Sequence, residues 1–128
     1  MRFMIIRKAD QDTESGTVMP SPELVHAMTQ YNQRMIDAGI MIAGEGLLPS
    51  SRGARVSFSD GKPTIIDGPF AESKELIAGF TMIDVDSREE ALDWMRQWPV
   101  EDAGGNAQLE LRQVASADDF GDAFTPEL

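Results

Sequence analysis

The nine residues from Asp67 to Glu75, DGPFAESKE, carry dense acid–base chemistry. Asp67, Glu72 and Glu75 beside Lys74 are groups able to hold a carboxylate at raised pKa for proton transfer, because like charges disfavour ionisation and burial desolvates it. Phe70 supplies an apolar wall for an aromatic or aliphatic ligand. Glu45 is a further candidate, since the flanking Gly44 and Gly46 let the backbone approach a neighbour or ligand closely. Arg55 is a candidate anion holder. Each has a plainer explanation: an Asp before Gly-Pro accepts backbone N–H bonds in a turn, Phe70 plugs the core, Glu72 and Lys74 are solvated, Glu45 is an exposed acid in a tight turn, and Arg55 faces outward from a strand. Length favours a site, because Asp60-Gly61 already shows that two residues suffice to join strands.

Other chemistries find little support. One His and no Cys leave a metal only carboxylate ligands, and no calcium-loop spacing occurs. Neither G-x-x-x-x-G-K-[ST] nor G-x-G-x-x-G is present, so no phosphate cradle is expected. Ser50, Ser51 and Ser73 lack a histidine base for a hydrolase triad. No cofactor is expected.

The elements that must position these residues follow from periodicity. RFMIIRK, from Arg2 to Lys8, is apolar on both alternating faces and reads as a strand covered on both sides. SPELVHAMTQYNQRMIDAG opens with Ser21 as N-cap and Pro22 at the first helical position, and closes on Gly39. Leu24, Val25, Met28, Tyr31, Met35 and Ile36 form its apolar stripe, and His26 lies roughly 150° away on the solvent side. IMIAG from Ile40 is the second strand, GEGLLPSSRG a loop, and ARVSFS a strand turning at Asp60-Gly61, a pair suited to two positive φ angles. That turn pairs Ser59 with Lys62 and Phe58 with Pro63. LIAGFTMIDV is a long strand. SREEALDWMRQWP is a second helix, with Ser87 and Glu90 at capping-box spacing and Pro99 as a stop. AQLELRQV is a final strand with Leu109 and Leu111 inward. The order predicts an α+β ferredoxin-like βαββαβ sandwich with an extra β-hairpin. Two helices cover only one face of its sheet. The first strand is apolar on both faces, so a homodimer packing sheet to sheet is expected.

The 128 residues fit a single domain, 1–128, with an acidic tail from about 116. A formal net charge of −11 repels phosphate backbones and anionic membranes, so neither nucleic acid nor membrane is an expected partner. The apolar centre of the opening strand is too short for a secretory signal, and the absence of Cys asks for no oxidising compartment. Cytoplasm is expected.

At DGPFAESKELIAGF the sequence resembles the DGPF motif of the YCII-related family, with GEGL from Gly44 and the ending TPEL also in place. The likeness covers nearly the whole chain. It implies a ferredoxin-like fold dimerising through its sheets into an α/β barrel. Members are mostly of unassigned activity, a few relatives in the wider fold act on small aromatic or lactone-like compounds, and some lie beside or are fused to extracytoplasmic-function sigma factors. The family's proposed His and Asp pair places the His about eleven residues before the Gly that ends the first helix. From Gly39 that offset reaches Met28, not His26, so the pair is not carried over. Two expectations follow. One is a cofactor-independent enzyme or small-molecule binder with Asp67, Glu72, Lys74 and Glu45 as acid–base groups and Phe70 and Arg55 holding the ligand. The alternative is a noncatalytic accessory module of a sigma factor system.

Overall fold

A computed structural model describes residues 1–123, so the ending TPEL lies outside the described residues. Strands β1 (Arg2–Lys8), β2 (Met41–Gly46), β5 (Ile77–Asp84) and β6 (Leu109–Gln113) form an antiparallel sheet in the order β2-β5-β1-β6. Helices α2 (Pro22–Asp37) and α3 (Arg88–Arg96) supply the helical layer, a short helix α1 (Gln11–Ser15) follows β1, and β3 (Ala54–Ser59) and β4 (Lys62–Asp67) form a separate hairpin. This is the ferredoxin-like α+β order with an inserted hairpin. Among the described residues no helix is long and apolar enough to cross a membrane.

Local chemistry sets the boundaries. Ser21 accepts a bond from the Leu24 amide with Pro22 at the start of α2, and Ser87 accepts from the Glu90 amide at the start of α3. Asp60 and Gly61 take φ of 51° and 78°, which fixes Ser59 opposite Lys62 and Phe58 opposite Pro63. Helix α1, read from sequence as polar loop, is held by reciprocal capping between Asp10 and Thr13 and ends at Gly16 with φ 70°.

Strand alternation assigns the two faces of the sheet. Phe3 and Ile5 of β1 and Ile83 of β5 point to the helices, where they pack with Tyr31, Met35, Val85 and Ala91. Burial of each large side chain there contributes about 1.5–3 kcal/mol. Met4, Ile6, Phe80 and Met82 share the opposite face and are half-buried. The stripe on α2 is narrower than its sequence suggests. Leu24, Met28, Tyr31 and Met35 form the seam, whereas Val25 and Ile36, each one residue or about 100° further round, are 51% and 54% exposed.

A cleft over side-chain-free strands

The helix face of the sheet changes character past the core. Beyond Ile5 the next inward position on β1 is Arg7; beyond Ile83 those on β5 are Thr81 and Gly79; and their partners on β2 are Gly44 and Gly46. The glycines leave the start of α2 with little to rest on, and a cleft of about 660 Å³ opens there. Leu24, Met28 and Asn32, spaced four apart on α2, form one wall, and the segments around Met19 and Glu101 form others. A side chain added at Gly46 would meet nothing within 4 Å, so this position faces open space. Gly79 is glycine for a different reason: a Cβ there would lie 2.9 Å from the Glu45 carbonyl oxygen across the strand pair.

The cleft also reaches a buried ionic network. Arg7 donates from Nε and Nη2 to the two carboxylate oxygens of Asp102, at 3.0 and 2.8 Å. Its Nη1 donates to the Lys8 carbonyl and to Asp10 at 2.6 and 3.1 Å, and the Trp98 indole N–H donates to Asp102 at 2.9 Å. Arg7 and Asp102 are only 8% and 7% exposed. Burial alone would raise the pKa of Asp102, but hydrogen bonds from Arg7 and Trp98 and the charge of Arg7 outweigh it and hold the carboxyl below its usual range. Asp10 is held low in the same direction, its partial burial offset by the Thr13 amide and Arg7. The Asp102 bond to Arg7 raises the guanidinium pKa further. Asp102 reaches this position through a turn in which Ala103 takes φ 51° and Gly104 φ 60°. In the wall, Asn32 Oδ1 is buried without a hydrogen-bond partner among the described residues.

The residues expected to form a site are dispersed. Glu45 lies on β2 rather than in a loop, because β2 stays paired with β5 through Gly46; it borders the cleft, yet its pairing with Phe80 directs its side chain to the face away from the helices. Asp67 ends β4 opposite Ala54 and is exposed. Glu72, Lys74 and Glu75 are exposed in and beside a 3-10 turn and line no part of the cleft. Only Phe70 and Arg55 meet, with the guanidinium carbon 3.9 Å from the ring centroid. The stretch from Asp67 to Phe70 serves docking. The Gly68 amide donates to the Gly53 carbonyl and the Phe70 amide to Ser50 Oγ, each at 3.0 Å, while Ser50 donates its hydroxyl and amide to Glu14 at 2.5 and 3.0 Å. The Gly68–Pro69 peptide is cis.

Arg7, Asp102, Trp98, Asn32 and Gly79 are not among the residues expected at a site, and Gly44 and Gly46 enter that expectation only as the flanks of Glu45. Arg7 did carry a signal, since it shares the inward face of β1 with Phe3 and Ile5, and an arginine there requires a buried anion. Asp102 carried none. Among the described residues no group of three or more His, Cys, Asp or Glu is arranged to hold a metal ion.

The model of the YCII-related domain matches residues 1–115. The chain belongs to the YCII-related family. Its YCII-related relatives include an uncharacterised protein of Rhizobium meliloti (strain 1021), 36% identical over 97 residues, which are 75% of this chain and 78% of that protein. A solved structure, the 5-chloro-2-hydroxyhydroquinone dehydrochlorinase of Burkholderia phenoliruptrix AC1100 in complex with 2,5-dihydroxybenzoquinone, aligns with a TM-score of 0.49 at 15% identity over 93% of this chain and 98% of its own.

Proposed function

We propose that this YCII-related protein binds a small organic molecule in the cleft between the start of α2 and the glycine-lined end of the sheet. The observation that carries the reading is the cleft of about 660 Å³, within the usual size of small-molecule sites, with apolar walls at Leu24 and Met28 and a rigid ionic floor. Binding is better supported than proton transfer. Met28 brings a thioether to the wall, and against their own burial the lining carboxylates Asp10 and Asp102 are held below their usual range, Asp10 by the Thr13 amide and Arg7, Asp102 by Arg7 and Trp98. A second copy of the chain covers the face bearing Met4, Ile6, Phe80 and Met82, closing the sheet pair into a barrel. This half of the proposal rests on apolar side chains that the helical layer of the same chain does not reach.

Gly46→Leu tests the site. Its φ is not in the left-handed region and the position faces open space, so the variant is expected to fold normally while filling the cleft. A thermal-shift screen of small organic compounds is expected to yield ligands of the wild type that no longer stabilise Gly46→Leu. Ligands that stabilise both proteins equally would place binding elsewhere.

A further inference from the structure

Once internal pairs are counted, the charges bordering the cleft are of one sign. Among the described residues its only lining cation is Arg7, and that guanidinium is committed to Asp102, Asp10 and the Lys8 carbonyl. One cation against two carboxylates leaves this cluster with an uncompensated negative charge. Asp12 and Glu101 also line the cleft, are exposed, and form no ion pair among the described residues. Asn32 borders the same wall, with its Oδ1 closed off from the cleft and without a hydrogen-bond partner among the described residues. The unmatched charges are therefore anions, set beside the apolar Leu24, Met28 and Met19.

We infer that the ligand of this cleft is an organic cation, a protonated amine on an apolar body. The inference rests on the reading of the cleft as a binding site and names its ligand class. A carboxylate or phosphate entering the cleft meets net negative charge. To engage Arg7 fully it would have to displace Asp102, leaving a carboxylate that is 7% exposed without its counter-charge. An ammonium group has the opposite balance: the Asp12 and Glu101 carboxylates attract it, and the apolar body lies against Leu24 and Met28. Arg7 keeps its partners throughout and acts as a fixed part of the floor.

The test is calorimetric titration of the full chain near neutral pH with matched triplets sharing one body: phenethylamine, phenethyl alcohol and phenylacetate, and their cyclohexyl and indolyl counterparts. The amine is expected to bind about tenfold more tightly than the carboxylate of the same body. That preference is expected to shrink as salt rises from about 0.01 M to about 1 M, where the screening length falls to about 3 Å. It is also expected to shrink in the double variant Asp12→Asn, Glu101→Gln, which removes exposed charge without touching the Arg7 network. Equal or tighter binding of the carboxylate, or a preference indifferent to both salt and the double variant, would overturn the inference. Binding of the alcohol as tightly as the amine would overturn it while leaving the cleft a binding site. Binding of no member would overturn both.

Discussion

Arg7 and Asp102 stand 95 residues apart in sequence and meet through two parallel hydrogen bonds of 3.0 and 2.8 Å, both side chains nearly closed off from water. The pair joins the end of β1 to the turn after α3, where Asp102 has no other cation among the described residues and Arg7 has only the more exposed Asp10 besides. Asp102→Ala is therefore expected to cost about 3 kcal/mol in urea denaturation, chiefly by leaving the buried guanidinium with Asp10 as its one remaining counter-charge. Replacing both, Arg7→Met with Asp102→Leu, is expected to cost less than the single change. A double variant less stable than Asp102→Ala would show that the attraction itself, and not the stranded charge, dominates.

The same network sets an acid limit. Asp102 and Asp10 have folded pKa values below their ordinary ones, so the unfolded chain takes up protons first as pH falls. Their contribution is complete above about pH 4, the unfolded carboxylate range, and is lost as pH drops through the folded values. Denaturation midpoints of the wild type are expected to fall in that window, with a shallower fall in Asp102→Asn. Parallel pH profiles for the two proteins would refute this account.

Gly68 is expected to tolerate no side chain. A Cβ there would lie 1.8 Å from the Ser50 carbonyl oxygen, backbone that cannot rotate away. Gly68→Ala should cost about 2 kcal/mol or more, as overpacking does. Asp67→Asn and Glu72→Gln, at exposed positions, should stay within about 0.5 kcal/mol. Thermal unfolding of the three variants separates the docking role of this turn from an acid–base one.

His26 is exposed on α2 and does not line the cleft. His26→Ala is expected to change stability by less than about 0.5 kcal/mol and to leave ligand binding intact. A loss of binding on titration would mean that the imidazole acts in the site after all.

A dimer is expected in sedimentation at micromolar concentration, with a mass about twice the 14.1 kDa of the chain. Ile6→Lys and Met82→Lys, placed on the open face, should shift it to monomer without unfolding it. A monomeric wild type would leave the half-buried apolar face needing another explanation.

Repeating patterns made the fold legible. Ser21-Pro22, Ser87 and Asp60-Gly61 announce their structures within a few residues, and strand alternation places Leu109 and Leu111 inward as expected and sets Phe3 and Ile5 on one face of β1. Helix α1 was missed because five residues offer no apolar period, and its signals, Asp10, Thr13 and Gly16, are polar or bare. The expected site residues do not converge on one cavity, because density of charge along the sequence does not encode a shared place in the fold. Exposed carboxylates such as Glu72 and Glu75 cluster readily where nothing forbids it, whereas the cleft is defined by what Gly44, Gly46 and Gly79 lack. Asp102 stayed hidden because its partner is distant in sequence, and no local spacing encodes a contact made only after β1 and the turn beyond α3 are brought together.

Trp98 bears a consequence of its own. The chain has two tryptophans, and both rings lie edge-on to Tyr31, with centroids 5.5 Å away for Trp98 and 6.4 Å for Trp94. Trp98 alone of the two lines the cleft, with its indole N–H bound to Asp102. Indole emission responds to nearby charge and to water, so the fluorescence of the unlabelled protein should report occupancy of the cleft, with Trp94→Phe isolating the sensing ring. The molecule carries its own optical reporter, one that can be read before any ligand has a name.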